Sequence, residues 1–295
     1  MKEEVKIINL DECVTNALGL FIHSPPPKLI LNKFKKPLVI GSGNAAVTGR
    51  ILFSNKEAIF ANESNYLKKL KNTKRIDGCV IISSSGEKHA PIIAKKIKTK
   101  KIKTVLLTNN TKAPANKYTT KTIVFPKNTE PYTYNTSTYL AMILAKTQEN
   151  PRKIKEHINK LKKPINLKKY TSFFIIVPEE LEEAKEMFQT KFDELFGPEI
   201  QGRVFTFEQA KHAKTITPSN SELFISFGKP NKTFGKHRLN IPLPKNPNYG
   251  ALIAVGYYTI GQIQKQHKPY FKKNIEKYTK QASKLFNHKI SVIVE

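Results

Sequence analysis

The stretch Asp77-Gly-Cys-Val-Ile-Ile-Ser-Ser-Ser-Gly-Glu-Lys88 joins an apolar run to a turn that is rich in serine and glycine. The apolar run is typical of a buried β-strand, and the residues after the turn have the pattern of a helix. Backbone N–H groups at a helix start are unpaired and carry a partial positive charge, so serine hydroxyls beside them can hold a phosphate. A helix cap and a plain turn explain the same serines, so the rest of the chain has to decide.

The segments around this stretch alternate short apolar runs with helical patterns, which is typical of a parallel α/β sheet. Strands are predicted at residues 37–40, 58–61, 78–83, 103–107 and 122–125. Helices are predicted at residues 10–21, 44–54, 63–70, 87–97, 113–117 and 137–146. The connections are short, which indicates a doubly wound sheet whose ligand edge lies at the carboxyl ends of the strands.

The same alternation restarts after a lysine-rich helix and linker at residues 151–169. Strands are predicted at residues 172–177, 204–205, 223–227, 239–241 and 290–294, and helices at 179–196 and 250–263. We therefore expect two flavodoxin-like, three-layer αβα domains in tandem, at residues 1–165 and 166–295. Pro178-Glu-Glu180 follows the first strand of the second half, where the first half has Gly41-Ser-Gly43, so only the first half is expected to bind an anion.

The formal net charge of +28 raises the question of nucleic-acid binding. Only five of the 51 basic residues are arginines, although bidentate recognition of bases and phosphates favours arginine. The lysines are scattered along the chain, without interleaved aromatic residues or a nucleic-acid-binding motif. We interpret the charge as a solvated lysine surface that also attracts anionic metabolites, and rank nucleic-acid binding last.

Cysteine usage and hydropathy indicate a cytoplasmic protein. Cys13 and Cys79 form no disulfide framework, which suits a reducing compartment. The amino-terminal residues have no signal-peptide pattern. The apolar segment at residues 251–263 is too short to span a membrane, so no membrane partner is expected.

Four segments fall in the order and spacing of the sugar isomerase (SIS) domain, and the chain resembles a tandem SIS protein. They are Leu38-Val-Ile-Gly-Ser-Gly-Asn-Ala-Ala45, Ala61-Asn-Glu-Ser-Asn-Tyr66, Ile82-Ser-Ser-Ser-Gly-Glu87, and Leu106-Leu-Thr-Asn-Asn110 with residues 113–118. The third resembles the family's phosphate loop, and the first resembles its Gly-x-Gly-x-Ser turn.

The resemblance implies that the phosphate of a sugar is bound by Ser42, Gly43, Asn44, Ser83, Ser84, Ser85 and Lys88. Two positions depart from the family pattern. Ala45 replaces a serine of the first turn, and Lys88 replaces the threonine that commonly follows Ser-Gly-Glu. The loss of two hydroxyls weakens a phosphate site, whereas a lysine at the helix start restores charge attraction, unless it points to solvent.

In the second half, Lys191 and Glu194 resemble the Lys-x-x-Glu pair in the isomerase half of glucosamine-6-phosphate synthase. The resemblance implies that Glu194 is the isomerising base. Phe207-Glu-Gln-Ala-Lys-His212 is similar to the family element whose histidine opens the sugar ring, although the interval from Glu194 is longer than usual. Alternative bases are Glu199 and Glu208, and Lys289 resembles the family's tail lysine after a shift of one residue. A solvated acidic helix face and a surface histidine are the alternative interpretations.

The resemblance implies a phosphosugar isomerase, or a deaminase, that acts on a hexose 6-phosphate or an amino-sugar phosphate. Such chemistry moves protons between neighbouring carbons, so no metal or other cofactor is expected. In the family the ring-opening histidine often comes from a neighbouring subunit, which implies a homodimer. The alternative is a non-catalytic protein that binds sugar phosphates for regulation and has lost the base.

Overall fold

The computed structural model describes residues 7–31, 33–164, 166–212, 214 and 217–294. The α-helices are α1 (Leu10–His23), α2 (Asn44–Leu52), α3 (Tyr66–Asn72), α4 (His89–Thr99), α5 (Thr136–Thr147), α6 (Pro151–Lys160), α7 (Lys185–Phe196), α8 (Phe207–Lys211), α9 (Tyr249–Gln266) and α10 (Tyr270–Leu285). The β-strands are β1 (Pro37–Ile40), β2 (Ile59–Ala61), β3 (Gly78–Ile82), β4 (Thr104–Thr108), β5 (Lys121–Val124), β6 (Glu130–Pro131), β7 (Ser172–Val177), β8 (Gln201–Thr206), β9 (Glu222–Phe227), β10 (His237–Ile241) and β11 (Ile293–Val294).

The first sheet is parallel and has the strand order β2-β1-β3-β4-β5. Strands β1, β3 and β4 are buried along their whole length, which is why their sequences are continuous apolar runs. All five predicted strands are present, and each end lies within one residue of its prediction. The prediction of an α/β fold with parallel sheets is therefore confirmed.

Helices cover both faces of the first sheet. Cys79 and Leu106 belong to a core that also contains side chains of α3 and α4, such as Ile93. On alternate positions of the strands, Val39 and Ile82 approach α2 at Gly49, where an added Cβ would lie 2.8 Å from Val39 Cγ1. Each fully buried aliphatic side chain of this kind stabilises the fold by about 1.5–3 kcal/mol.

The second sheet is also parallel, with the strand order β10-β9-β7-β8. Strands β7, β8, β9 and β10 are therefore arranged like β1, β2, β3 and β4 of the first sheet. Strands β8 and β10 are longer than predicted, because their polar, partly exposed residues hide the strand pattern. The predicted helix at 179–196 consists of a 3₁₀ helix (Glu179–Ala184), which is kinked at Leu181, followed by α7.

The sequence analysis did not predict α10. The apolar residues Phe271, Ile275 and Ala282 recur at helical spacing and are the buried face of this helix, so the signal was present. The predicted final strand at 290–294 is shorter than expected. It forms β11, which pairs antiparallel with β6.

The chain divides into two compact units. Unit 1 comprises Met1–Ile22, Asn128–Thr136 and Glu149–Glu295, and unit 2 comprises His23–Lys127 and Ser137–Gln148. This division differs from the predicted boundary between residues 165 and 166, because α1 and the segment around β6 bond within unit 1. The buried Asp11 of α1 accepts hydrogen bonds from Gln262 and Lys265 of α9, at 2.7 and 2.5 Å.

Candidate functional site

The loops that follow β1 and β3 lie side by side at the carboxyl edge of the first sheet, because Ile40 is the register partner of Ile81. Gly41 packs tightly on the first turn of α2, where a Cβ would lie 2.8 Å from the Ala45 backbone carbon. Gly43 caps α2 with a φ of 53°, a conformation that favours glycine. The two glycines therefore bring backbone close to the place where the sequence predicts a phosphate.

The serine turn, Ser83-Ser-Ser-Gly86, follows β3. Residues at the end of β4 and just after it hold this turn in place by hydrogen bonds. The Ser84 carbonyl accepts hydrogen bonds from Thr108 Oγ1 at 2.7 Å and from the Asn109 amide at 2.9 Å. Asn110 Nδ2 donates to the Ser85 carbonyl at 3.0 Å. The carbonyls of the turn are thus bound within the protein, and Gly86, with a φ of 66°, reverses the chain.

Donors of this turn remain available to a ligand. Ser83 Oγ accepts from the Gly86 amide at 3.1 Å, which leaves its own proton to donate. Among the described residues, neither the amide nor the hydroxyl of Ser85 donates to a protein acceptor. Lys88 lies at the start of α4, and burial lowers its pKa while the charge of Glu87 opposes that shift. An anion bound near Lys88 favours the charged form of the ammonium.

The first loop is partly occupied by the protein itself. The Ser42 hydroxyl donates a hydrogen bond to Glu63, so its proton is engaged within the protein. Asn44 is buried, and its Oδ1 has no hydrogen-bond partner among the described residues. Asn44 therefore keeps an acceptor that suits a hydroxyl of a ligand and not a phosphate oxygen.

Asn109 and Thr138 support the serine turn through hydrogen bonds but were not predicted as site residues. Asn109 Nδ2 donates to Ser84 Oγ at 2.9 Å and to Thr138 Oγ1 at 2.5 Å. Asn109 belongs to a segment whose resemblance to the SIS domain is visible in the sequence. Their roles were hidden because the contacts join residues that lie 25 to 29 positions apart.

Lys191 and Glu194 lie on one face of α7 and form an ion pair of 2.6 Å between Lys191 Nζ and Glu194 Oε2. Lys191 is fully buried, and its ammonium also donates to the carbonyls of Thr133 at 3.1 Å and Tyr134 at 3.0 Å. The three protons of the ammonium have three acceptors. Thr133 has a φ of 82°, which is rare for threonine, so Lys191 clamps a strained turn.

The Glu194 carboxyl remains partly accessible, with 22% of the side-chain surface exposed. Burial raises the pKa of Glu194 above its ordinary value of 4.5, and the charge and hydrogen bond of Lys191 oppose the rise. A carboxyl whose pKa is raised toward neutrality both takes up and returns protons efficiently. The pair is thus the type of group that the predicted chemistry requires.

His212 is not brought to this pair within one chain. It follows α8, at the carboxyl end of β8, and its backbone N–H donates to the Gln209 carbonyl. Glu194 lies near the end of α7, where the chain returns to the amino end of β8. A six-residue strand spans roughly 20 Å. Glu194 therefore lies near the amino ends of the strands of the second sheet, and His212 lies near their carboxyl ends. Among the described residues, no hydrogen bond or ion pair joins His212 to Glu194 or Lys191.

The alternative candidates are less suited to proton transfer. Glu208 is exposed and pairs with Lys211 at 2.6 Å, and the hydrogen bond from Lys211 lowers the pKa of Glu208. Glu199 is exposed on the loop after α7. Lys289 is exposed on the segment before β11.

Two features that bear on partners are a metal site and a helix that could span a membrane. No three His, Cys, Asp or Glu side chains in the described ranges cluster in a way that could hold a metal ion. Across the same ranges, every helix is too short or too polar to cross a membrane.

The chain shares its fold with solved structures at low sequence identity. The glucosamine-6-phosphate deaminase of Thermotoga maritima matches with a TM-score of 0.59 and 15% identity, over 86% of this chain and 92% of that chain. The tagatose-6-phosphate ketose/aldose isomerase of Escherichia coli matches with a TM-score of 0.58 and 10% identity, over 88% and 91%. The C-terminal domain of glucosamine-fructose-6-phosphate aminotransferase from Francisella tularensis matches with a TM-score of 0.58 and 11% identity, over 87% and 92%.

The sequence itself matches no protein-family model and no curated protein. The likeness to the solved structures covers most of each chain and is therefore a likeness of the whole fold. The resemblance to SIS proteins that the sequence predicts is therefore confirmed as a likeness of fold.

Proposed function

We propose that this chain is a tandem SIS protein, with a doubly wound three-layer domain on each sheet, and that it is a phosphosugar isomerase or an amino-sugar 6-phosphate deaminase. The observation that carries the proposal is the serine turn after β3. Its carbonyls are bound behind the turn, while Ser83 and Ser85 keep donors for an anion. The solved structures with the same fold include enzymes whose names specify sugar 6-phosphates, which supports this ligand class.

The phosphate is bound at the carboxyl edge of the first sheet. Backbone amides and hydroxyls donate to its oxygens, and Lys88 supplies a positive charge at the start of α4. The proposed ligands are Ser42, Gly43, Asn44, Ser83, Ser84, Ser85 and Lys88. Ser42 takes part once it exchanges its hydrogen bond to Glu63 for one to the ligand.

Glu194 carries the chemistry in this proposal. Its carboxylate removes the proton from C2 of the open-chain aldose and returns it to C1, while the hydroxyl proton moves between the two oxygens. The step needs no cofactor, because no electrons are gained or lost. Lys191 is a positioning residue, since its ammonium fixes Glu194 and the turn at Thr133 and Tyr134.

His212 opens the sugar ring from a second copy of the chain. The separation of His212 from Glu194 along β8 supports a homodimer in which the two copies complete each other's sites. Mixing inactive Glu194→Gln and His212→Ala proteins then restores about a quarter of the wild-type activity, because half of the dimers are mixed and each has one intact site. Failure to restore activity after subunit exchange contradicts the shared site.

A regulatory protein that binds sugar phosphates without turnover is the second candidate. It is favoured by the complete engagement of Lys191, which leaves the ammonium no proton for a substrate. Ala45 in place of the family's serine points the same way, since it removes a phosphate donor. A cytoplasmic location and the domain limits 1–165 and 166–295 stay predictions in both cases.

The deciding experiment presents fructose 6-phosphate, glucosamine 6-phosphate and mannose 6-phosphate to the chain. Protection against thermal unfolding reports binding. Product analysis, including release of ammonia from glucosamine 6-phosphate, reports turnover. Binding with turnover supports the enzyme, binding without turnover supports the regulator, and the absence of binding by all three contradicts both.

A further inference from the structure

Two tyrosines that pack on each other lie within electrostatic range of Glu194 and have no role in the proposed chemistry. Tyr132 follows β6, and Tyr278 lies on α10. Their ring centroids are 6.0 Å apart and their planes are inclined by 34°. Both rings belong to unit 1, together with Glu194 and Lys191.

Tyr132 is fixed next to the ion pair by its backbone. Its amide donates to the Val292 carbonyl at 2.8 Å, just before β11. The following residue, Thr133, offers its carbonyl to Lys191, whose ammonium also binds Glu194. The segment that carries Tyr132 is thereby held on one side by the tail of the chain and on the other by the buried lysine.

Tyr278 is anchored through its helix but remains reachable from solvent. Its side chain is 46% exposed, whereas Phe271 and Ile275 of the same helix are buried. The Phe271 ring packs on Tyr134 with centroids 5.0 Å apart, which ties α10 to the turn that Lys191 clamps. A half-exposed tyrosine on a fixed helix can contact a ligand without a change in the fold.

The electrostatics keep both phenols protonated. Burial raises the pKa of Tyr132 and Tyr278, and the negative charge of Glu194 raises both further. The carboxylate therefore lies within electrostatic range of both hydroxyls. At neutral pH each phenol is a hydrogen-bond donor, which is the form that stabilises negative charge on a substrate oxygen.

We propose that Tyr132 and Tyr278 donate hydrogen bonds to the oxygens at C1 and C2 of the open-chain sugar while Glu194 moves the proton between these carbons. This inference rests on the proposed isomerase or deaminase function. When Glu194 takes the C2 proton, the electron pair of the C2–H bond forms the C1–C2 double bond, and negative charge develops on the C1 oxygen. The phenols stabilise that charge, the hydroxyl proton moves from the C2 oxygen to the C1 oxygen, and Glu194 returns its proton to C1 as the C2 carbonyl forms.

The kinetic test uses Tyr132→Phe and Tyr278→Phe, which remove only the hydroxyls. We expect each variant to lower kcat by about 10- to 100-fold with KM almost unchanged, because the hydrogen bonds strengthen in the transition state. Tyr118→Phe, which lies in unit 2, is the matched control and retains full kcat. Wild-type kcat in both variants contradicts the inference.

A spectroscopic test separates this inference from the proposed function. Ultraviolet titration of tyrosinate in the wild type and in Glu194→Gln, repeated with each Tyr→Phe variant for assignment, measures the ionisation of Tyr132 and Tyr278. We expect both to ionise at lower pH in Glu194→Gln, because a negative charge is removed. Unchanged ionisation overturns the tyrosine inference even if the enzyme turns over. Absence of turnover in the wild type overturns the proposed function instead.

Discussion

The carboxyl edges of the two sheets share a strand order but differ in what their loops offer to a ligand. After β1 and β3, the first sheet has glycines and serines, and Ser85 keeps its amide and hydroxyl without a protein acceptor among the described residues. In the second sheet, Pro178-Glu-Glu180 follows β7, the counterpart of β1, and Gly228-Lys-Pro230 follows β9, the counterpart of β3. The loop after β7 is acidic and repels an anion, and the loop after β9 has no serine cluster.

In the second half the protein's own carboxylates satisfy the helix starts. Glu179 Oε1 accepts from the Glu208 amide at the start of α8, at 3.1 Å. Glu149 accepts from the amides of Asn248, Gly250 and Ala251 at the start of α9, at 2.8 to 3.0 Å. An internal carboxylate occupies the position that a phosphate takes at an open helix start.

One strand order serves two purposes in this chain. Where the loops leave donors unpaired, the edge of the sheet is suited to an external anion. Where internal carboxylates pair those donors, they stabilise the helix starts of the protein itself. Each prediction below changes one side of this comparison.

The largest effect is expected for Glu194→Gln. The amide keeps the shape of the side chain but cannot accept the C2 proton, so kcat falls by about 10²- to 10⁴-fold. Sugar-phosphate binding, measured by thermal shift, stays near the wild-type value because the donors of the first sheet are intact. Glu199→Gln is the matched control, and an equal loss of kcat in the control contradicts the assignment of Glu194.

Glu149→Ala tests the structural role of the internal carboxylate. Three amides at the start of α9 lose their acceptor, so the free energy of unfolding falls by about 1–3 kcal/mol in denaturant titrations. Affinity for sugar phosphate is unchanged in the folded variant. Unaltered stability shows that water replaces the carboxylate at no cost, and the contrast between the two sheets then fails.

The raised pKa of Glu194 predicts the pH dependence of activity. Only the ionised carboxyl is a base, so kcat/KM falls as the pH drops through the folded pKa, and the midpoint lies above 4.5. Lys191→Met moves this midpoint to higher pH, because the ammonium is the group that lowers the pKa. Circular dichroism confirms that the variant is folded. An acid limb at or below 4.5 contradicts the buried environment.

The smallest effect is expected for Lys88→Met. Loss of the half-buried ammonium weakens sugar-phosphate affinity by about 5-fold, and the difference from wild type shrinks as salt is added. Lys112→Met, an exposed lysine of the same unit, is the control. Identical affinities for the two variants assign Lys88 to the solvated lysine surface.

Buried strands were predicted more accurately from the sequence than partly exposed ones. Strands such as β3 and β7 are buried on both faces, so their apolar runs define them within one residue. The polar ends of β8 and β10 carry no such signal, and the kink at Leu181 is a local backbone event inside a helical pattern. Helix α10 was readable from its periodicity but was not predicted.

The serine turn and the Lys191–Glu194 pair were predictable because each depends on residues close together in the sequence. Their surroundings depend on long-range contacts. Glu63 binds Ser42 from 21 positions away, and Thr133 binds Lys191 from 58 positions away. A single sequence contains no spacing rule for such pairs, which is why the clamp on the strained turn emerged only from the structure.

Calorimetric titration with fructose 6-phosphate and with fructose tests whether the serine turn binds a phosphate. We expect the wild type to bind only the phosphorylated sugar, and Ser83→Ala/Ser85→Ala to weaken binding by about 10- to 100-fold through the loss of two hydrogen bonds to a charged group. Glu179→Ala, at the matching edge of the second sheet, binds like the wild type. Equal affinity of the serine variant and the wild type contradicts a phosphate site at the serine turn.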